Sequence, residues 1–413
     1  MRLLLLLPTA TYRTVAFVEA ARRLEVDVTV ASERPSTFER ANPAGLLTLD
    51  FTDPARAAAQ ARVFAREHSV QGVVGVDDDT AVVAAAIAGE LGLRGNPVAA
   101  AVAARDKYEQ RRMLAGAGVA VPRFELHGTD VDVPALSRRV SYPCVLKPLR
   151  LSASRGVIRA DTATEFVAAF ERIKRILVDT GCEKSLLVED FVPGSEVAVE
   201  GLVTEGRLQV LTIFDKPDPL DGPFFEETIY VTPSRLTQAV QREIAACTQA
   251  TVSALGLREG PIHAEIRYND RGAWLIELAA RPIGGRCSGA LRFGMGDGGG
   301  GTGSISLEEI VIRHALGMEL PALEREAQAS GVMMIPVPGP GVLREVQGLD
   351  AARAVRLVED VVITAHPGQT LVPWPEGSRY PGFIFARGDE PGQVEAALRA
   401  AHTRLTFLTE PAD

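Results

Sequence analysis

The 413-residue sequence predicts an α/β domain at the N-terminus followed by α+β architecture, and three observations carry that prediction. Over residues 1–100, short apolar runs alternate with helical stretches, the pattern of a mostly parallel sheet covered by helices. In the middle, two segments with period-two alternation flank the turn residues Asn269–Gly272 and read as an antiparallel hairpin. From Gly331 the pattern becomes strand-rich, with Pro and Gly turns and one late helix over Gln393–Ala401, so a small α+β domain closes the chain. At about 150 residues per domain, the length accommodates two or three domains.

The N-terminal elements follow in order. Leu3–Leu7 is a buried strand, Thr14–Leu24 a helix, Val26–Ala31 and Leu46–Leu49 strands, Pro54–Glu67 a helix, Gly72–Val76 a strand and Thr80–Leu91 an Ala-rich helix. The first glycine is Gly45, so no Gly-rich turn follows the first strand and the pyrophosphate cradle of a nicotinamide dehydrogenase is missing. Asp77, Asp78 and Asp79 are read as the cap of the helix that starts near Thr80. A helix over Val98–Ala115 carries Lys107, and the strand Tyr142–Lys147 delivers Lys147 at its end. The small-residue loop 152–157 comes next, then a helix over Thr164–Leu177 and strands over Ser185–Glu189 and Val197–Thr204. A helix over Thr237–Leu255 precedes the hairpin. Gly294–Gly303 reads as a flexible insertion and Leu307–Leu316 as a helix.

Composition narrows the function. Apolar residues make up 46% of the chain, ample for several cores, and the net charge of −9 offers nothing to nucleic acid phosphates. The Leu3–Leu7 run ends at Pro8 and is too short for a secretory leader, and no stretch approaches the ~18 apolar residues that span a bilayer. Cys144, Cys182, Cys247 and Cys287 are far apart, without metal spacing, and read as reduced thiols in a cytoplasmic protein with no membrane partner. Of 44 basic residues only Lys107, Lys147, Lys174, Lys184 and Lys216 are lysines; Lys174 and Lys184 read as surface positions, which leaves Lys107, Lys147 and Lys216 as candidates for places that need a compact charge.

The hairpin holds the most informative pair. If residues whose numbers sum to about 542 face each other, Glu265 lies opposite Glu277 with Cβ atoms roughly 5 Å apart. Like charges that close invite a cation between them, and hard oxygen ligands suit Mg²⁺, with Mn²⁺ as the alternative. His263, Glu265 and Arg267 share one face with Leu275, Glu277, Ala279 and Arg281 of the second strand, so Arg281 could hold a further anionic group. No Gly-Lys dipeptide occurs, which excludes the common P-loop. ATP can still be held by two separated lysines, a mobile loop and carboxylate-bound metal, and the chain supplies those parts in order.

With Lys107, Val145–Pro148, Ser152–Val157, Leu187–Glu196, His263–Glu265 and Glu277–Gly285 on the page, the chain closely resembles the ATP-grasp superfamily, and its C-terminal part that of the L-amino acid ligases. The resemblance implies a Rossmann-like pre-ATP-grasp domain over residues 1–100. A two-lobed ATP-grasp domain would follow over 101–325 (lobes about 101–185 and 186–325), then the C-terminal domain over 326–413. It implies that Lys107 and Lys147 contact ATP phosphates under the loop formed by Ser152, Ser154, Arg155, Gly156 and Val157. The backbone of Glu189 and Val192 would hold adenine, Glu196 the ribose, and Glu265 with Glu277 the magnesium. Arg281 would contact the reacting group and act with Lys147 in catalysis, and the Gly284 and Gly285 amides would hold a substrate carboxylate. Glu226 and Glu227 are candidates for recognising the amine. One departure stands out: Ala279 occupies the place where many ATP-grasp enzymes carry Asn, which puts a second metal ligand in doubt, although amino acid ligases tolerate small residues there.

The same residues have plain structural readings. Lys107 fits a surface helix charge, Lys147 a strand-end contact, Glu189 a partner for a nearby Arg, Arg155 a loop decoration and His263 a packed histidine. Lys216, Glu226 and Glu227 also fit a solvated loop. The activity the resemblance implies is an ATP-dependent carboxylate–amine ligase working through an acyl phosphate, with small-molecule acids and amines, amino acids foremost, as substrates. A homodimer is compatible with it. The alternatives are a carboxylase or purine-pathway ligase on the same scaffold, or a non-catalytic nucleotide-binding regulator.

Overall fold

Four consecutive leucines that are fully buried, Leu3 to Leu6, form the centre of the N-terminal sheet. The computed structural model describes residues 1–182, 184–294, 304–320 and 322–411. In it the strands run in the order Leu46–Thr48, Asp27–Ser32, Arg2–Leu6 and Gly72–Gly75, all parallel. Burial on both faces explains why this strand reads as a continuous apolar run. Asp77 caps the helix Asp78–Leu91 through a reciprocal bond with Thr80, as the acidic run predicts.

The helix expected over Val98–Ala115 is two helices, Val98–Arg105 and Lys107–Gly116. Asp106 leaves helical geometry and accepts from the backbone N–H groups of Tyr108 and Glu109, so a side-chain cap interrupts a sequence that has no helix breaker. A small antiparallel sheet follows, ordered Phe124–Gly128, Ser185–Asp190, Cys144–Pro148 and Ile158–Ala160. The helix Ala163–Thr180, capped by Thr162 and Gly181, packs its apolar face on that sheet.

The second, larger sheet has eight strands among the described residues. Five come from the middle of the chain: Gly272–Ala279, Glu259–Asn269, Ser195–Thr204, Arg207–Asp215 and Ile229–Thr232. Ala329–Met334, Gly382–Gly388 and Val358–Ile363 continue it without a gap, because Ile229–Thr232 pairs with Ala329–Met334. A boundary near residue 325 therefore divides the sequence but not the sheet. The helix Leu307–Ala315 turns back to the N-terminal sheet, where Arg23 Nε meets Glu309 Oε1 at 2.7 Å. One hydrophobic cluster joins Leu3, Leu5 and Phe17 to Phe214, Phe293 and Phe383, so all three regions share a core. Each such buried Phe is worth roughly 1.5–3 kcal/mol.

Residues 295–303 of the glycine-rich segment lie outside the described residues. Among the described residues no helix is long and apolar enough to cross a membrane.

Candidate active site

Two cavities meet between the small sheet, the large sheet and the N-terminal domain. The first is lined by Lys107, Lys147, Val192, Glu196 and Arg267 among others. Lys147 leaves a strand that is buried along its whole length, and its Nζ lies 2.5 Å from Glu189 Oε1. Arg111 grips the same carboxylate from Nε at 2.8 Å. Burial alone pushes the Glu189 pKa up, but the Arg111 and Lys147 charges outweigh it and bring the carboxyl down to about 2. The structural reading of Glu189 therefore holds for its side chain, while the residue still lines the cavity.

The hinge that follows is set by Gly194. Its φ of +124° suits glycine alone, and a Cβ there would meet Tyr268 O at 2.3 Å. Arg267 organises this end, donating to the Val192 carbonyl at 2.7 Å and to Glu196 at 2.8 Å. Glu196, expected to face a ribose, already carries Arg267 and the buried Lys216 at 2.8 Å. Lys216 also pairs with Glu227 and lies 3.7 Å from Glu265. Burial would lower the Lys216 pKa; these carboxylates raise it instead. The three acids Glu196, Glu227 and Glu265 are close enough to share a cation, yet the Lys216 ammonium reaches all three and fills that role.

Lys107 begins its helix beside the loop, donating to the Leu151 carbonyl at 2.9 Å and lying 3.0 Å from Glu277 Oε1. The loop differs from expectation. Arg155 and Val157 N–H bond within the loop, and Gly156 N–H donates to Pro375 O at 2.9 Å, so these three amides are not directed at a phosphate. Trp374 Nε1 donates to Ala153 O at 2.7 Å, fastening the loop to the C-terminal region a second time. Ser154 and Val157 line the first cavity and Ser152 and Ser154 the second; Arg155 and Gly156 line neither.

Glu265 and Glu277 face each other in register, as the alternation predicts. The register then shifts, with Ile266 opposite Leu275, because one extra residue on the second strand makes a bulge. That turns Leu275 into the core with Ile266, correcting the expectation that Leu275 shares the glutamates' face.

The second cavity draws on the whole chain, from Ala10 to Tyr380. Arg281 lies on it, held by both oxygens of Asp78 at 3.0 and 3.2 Å. Gly284 and Gly285 line it, and Ile283 N–H donates to Glu200 at 3.1 Å. Glu200 also bonds His263, whose ring lies 3.8 Å from Glu265. Burial disfavours the charged imidazole, but Glu200 and Glu265 bring its pKa up to about 9. Glu227 faces both cavities, with Tyr230 OH donating to it at 2.6 Å. Glu226 is not brought to either; its carboxylate accepts from Val337 N–H at 3.0 Å. Cys287 is a buried thiol in the wall, raised by burial, and the four cysteines are free.

Sequence reasoning missed Arg13, Glu200, Tyr230 and Tyr380 and gave Asp78 only a capping role. Asp77 does the capping, and Asp78 is released to Arg281. None of these has a local pattern that separates it from an ordinary surface or core residue.

Family models match three successive parts of the chain: an ATP-grasp N-terminal domain over residues 18–95, an ATP-grasp domain over 140–290 and an L-amino acid ligase C-terminal domain 2 over 333–410. The chain belongs to the ATP-grasp family. The crystal structure of an L-amino acid ligase from Bacillus licheniformis superposes with a TM-score of 0.78 at 26% identity, covering 99% of this chain and 98% of that one. The alanine–anticapsin ligase of Bacillus subtilis is 30% identical over 210 residues, 46% of this chain and 44% of that protein. A D-alanine–D-alanine ligase of Cupriavidus necator is 29% identical over 196 residues, 46% of this chain and 58% of that protein. The matches to these two curated ligases thus span about half of each protein. The two cavities share Ser154, Glu227, Glu265 and Glu277 in their walls.

Proposed function

We propose that this ATP-grasp protein is an ATP-dependent carboxylate–amine ligase that joins amino acids through an acyl-phosphate intermediate and releases ADP and phosphate. One observation carries the reading. Ser154, Glu227, Glu265 and Glu277 line both cavities, so a carboxylate pair stands where a nucleotide's terminal phosphate would meet an organic acid. The names of the relatives, which join amino acids, support the substrate class.

Glu265 and Glu277 suit a divalent cation, Mg²⁺ foremost, because two facing carboxylates offer hard oxygen acceptors. Lys107 beside Glu277, with Lys216 and His263 beside Glu265, answers their charge within the chain. A cation bound there supplies charge neutralisation at the phosphoryl oxygens. The chain's own groups do the rest. Lys147, oriented by Glu189, and Lys107, oriented by Leu151 O, carry positive charge into the nucleotide cavity. The acid's carboxylate oxygen attacks the terminal phosphorus, ADP departs, and the acyl phosphate forms. The amine then attacks the acyl carbon and phosphate leaves. Arg281, steadied by Asp78, sits where it can neutralise the oxyanion. The loop carrying Ser152 and Ser154 keeps water from the acyl phosphate.

The test is an ADP-release assay with ATP, Mg²⁺ and the twenty amino acids, singly and in pairs, with products identified by mass. Pair-dependent ADP release with a dipeptide product is expected. Release that requires bicarbonate would favour the carboxylase reading, and tight ATP binding without release under any substrate would favour a regulator.

A further inference from the structure

The loop after the first strand, where a dinucleotide fold would carry its glycines, instead runs Thr9–Arg13 and sends Arg13 into the substrate cavity. Arg13 is half-buried and donates from Nη2 to Pro282 O at 2.8 Å and also to Ile283 O. Arg281 donates to the same Pro282 oxygen at 3.1 Å, so two guanidinium groups converge on one carbonyl. Only one of them is neutralised. Asp78 takes Arg281 with both oxygens. The acids in the field of Arg13 are Glu308, Glu200 and Asp77, and each is committed elsewhere. Glu308 accepts from Ser288 at 2.6 Å, Glu200 holds His263 and Ile283 N–H, and Asp77 accepts from Thr80 N–H at 2.8 Å. Among the described residues Arg13 makes no ion pair, and its Nε and Nη1 have no protein acceptor yet are not sealed from the cavity. Burial and the neighbouring Arg281 bring its pKa down to about 10, as for a cation lacking a counter-ion.

We propose that Arg13, beside Arg281, binds the free α-carboxylate of the amine component, making the chain selective for an amino acid over a simple amine as the nucleophile. The proposal rests on the ligase reading and deepens it. The reacting carboxylate loses its charge when it becomes an acyl phosphate, and it must lie at the junction formed by Glu265 and Glu277. Arg13 lines the second cavity but not the first, whereas Glu265 and Glu277 line both. A cation there suits a bystander carboxylate, whose charge persists through both steps and into the product.

The experiment takes the best amino acid pair from the ADP-release panel and replaces the amine component by its own carboxamide. Wild-type protein is expected to use the amino acid with kcat/KM about tenfold or more above the amide. In Arg13→Gln that ratio should collapse toward one, chiefly through KM for the amino acid, and Arg13→Lys should restore part of it. Protection by ATP against thermal unfolding checks that each variant is folded, and Arg13→Met serves for the comparison if Arg13→Gln is not. A folded Arg13→Gln or Arg13→Met protein that keeps the wild-type ratio overturns the assignment, as does one that loses both nucleophiles equally. If wild-type protein releases no ADP with any pair, it is the ligase reading that fails.

Discussion

The two cavities are built on opposite plans. In the first cavity, proposed for the nucleotide, the principal charges are answered within the chain: Lys147 and Arg111 by Glu189, Lys216 and Arg267 by Glu196, Lys107 by Glu277. Its lining comes from a continuous stretch between Lys107 and Glu277. The second cavity, proposed for the substrates, gathers Arg13, Asp78, Arg281 and Tyr380 from distant parts of the sequence and, among the described residues, leaves Arg13 without a counter-ion. A site for a constant ligand can be fully pre-organised, because the ligand never changes. A site for the variable partner keeps unspent groups for the substrate to satisfy.

The sharpest way to break this comparison is at the shared wall. Glu277→Gln removes one of the facing carboxylates and should lower ADP release by about 10²-fold or more without changing the circular dichroism spectrum. Near-normal turnover in that variant would show that the pair holds no essential cation. The next largest effect tests whether the nucleotide cavity is internally balanced. Glu189→Ala leaves Arg111 and Lys147 buried without a counter-ion and should cost about 3–5 kcal/mol of stability in urea titration. A loss under 1 kcal/mol would mean that water, not Glu189, answers those charges. The contact between the loop and the C-terminal region is smaller. Trp374→Phe keeps an aromatic ring against Tyr380 but removes the bond to Ala153 O, at about 1 kcal/mol, and should raise KM for ATP several-fold. An unchanged KM would leave the loop independent of that strap.

The mildest test uses pH and belongs to the substrate side. His263 has a folded pKa of about 9 against an ordinary 6.5, so its ion pair with Glu200 is fully stabilising below 6.5 and is lost as pH rises through about 9. The Tm of wild-type protein should fall toward that of His263→Gln between pH 6.5 and 9.5. A constant gap would place the proton elsewhere.

Particular residues show how much was legible. Glu265 and Glu277 could be paired from period-two alternation, since a strand puts every second side chain on one face and the turn sets the register. Lys107 and Lys147 stood out because lysine is scarce in this chain. The bulge after Glu265 was not legible, because one extra residue is absorbed by backbone geometry without any composition mark. Nor was the break at Asp106, where a side-chain cap competes with a helix that local propensity favours. Asp78 and Asp79 look like equal members of an acidic run; only the fold sends one to Arg281 and the other to Arg105.

By itself the sequence determined the strand and helix periods, the order of the candidate nucleotide-binding parts and the facing glutamates, since each depends on residue order and spacing along the chain. Tertiary structure alone decided that the C-terminal strands extend the central sheet, that Trp374 and Pro375 fasten the loop, and that Arg13 meets Arg281 across more than 250 residues. Those outcomes depend on which surfaces bury each other, and burial is a property of the packed whole rather than of any local run of residues.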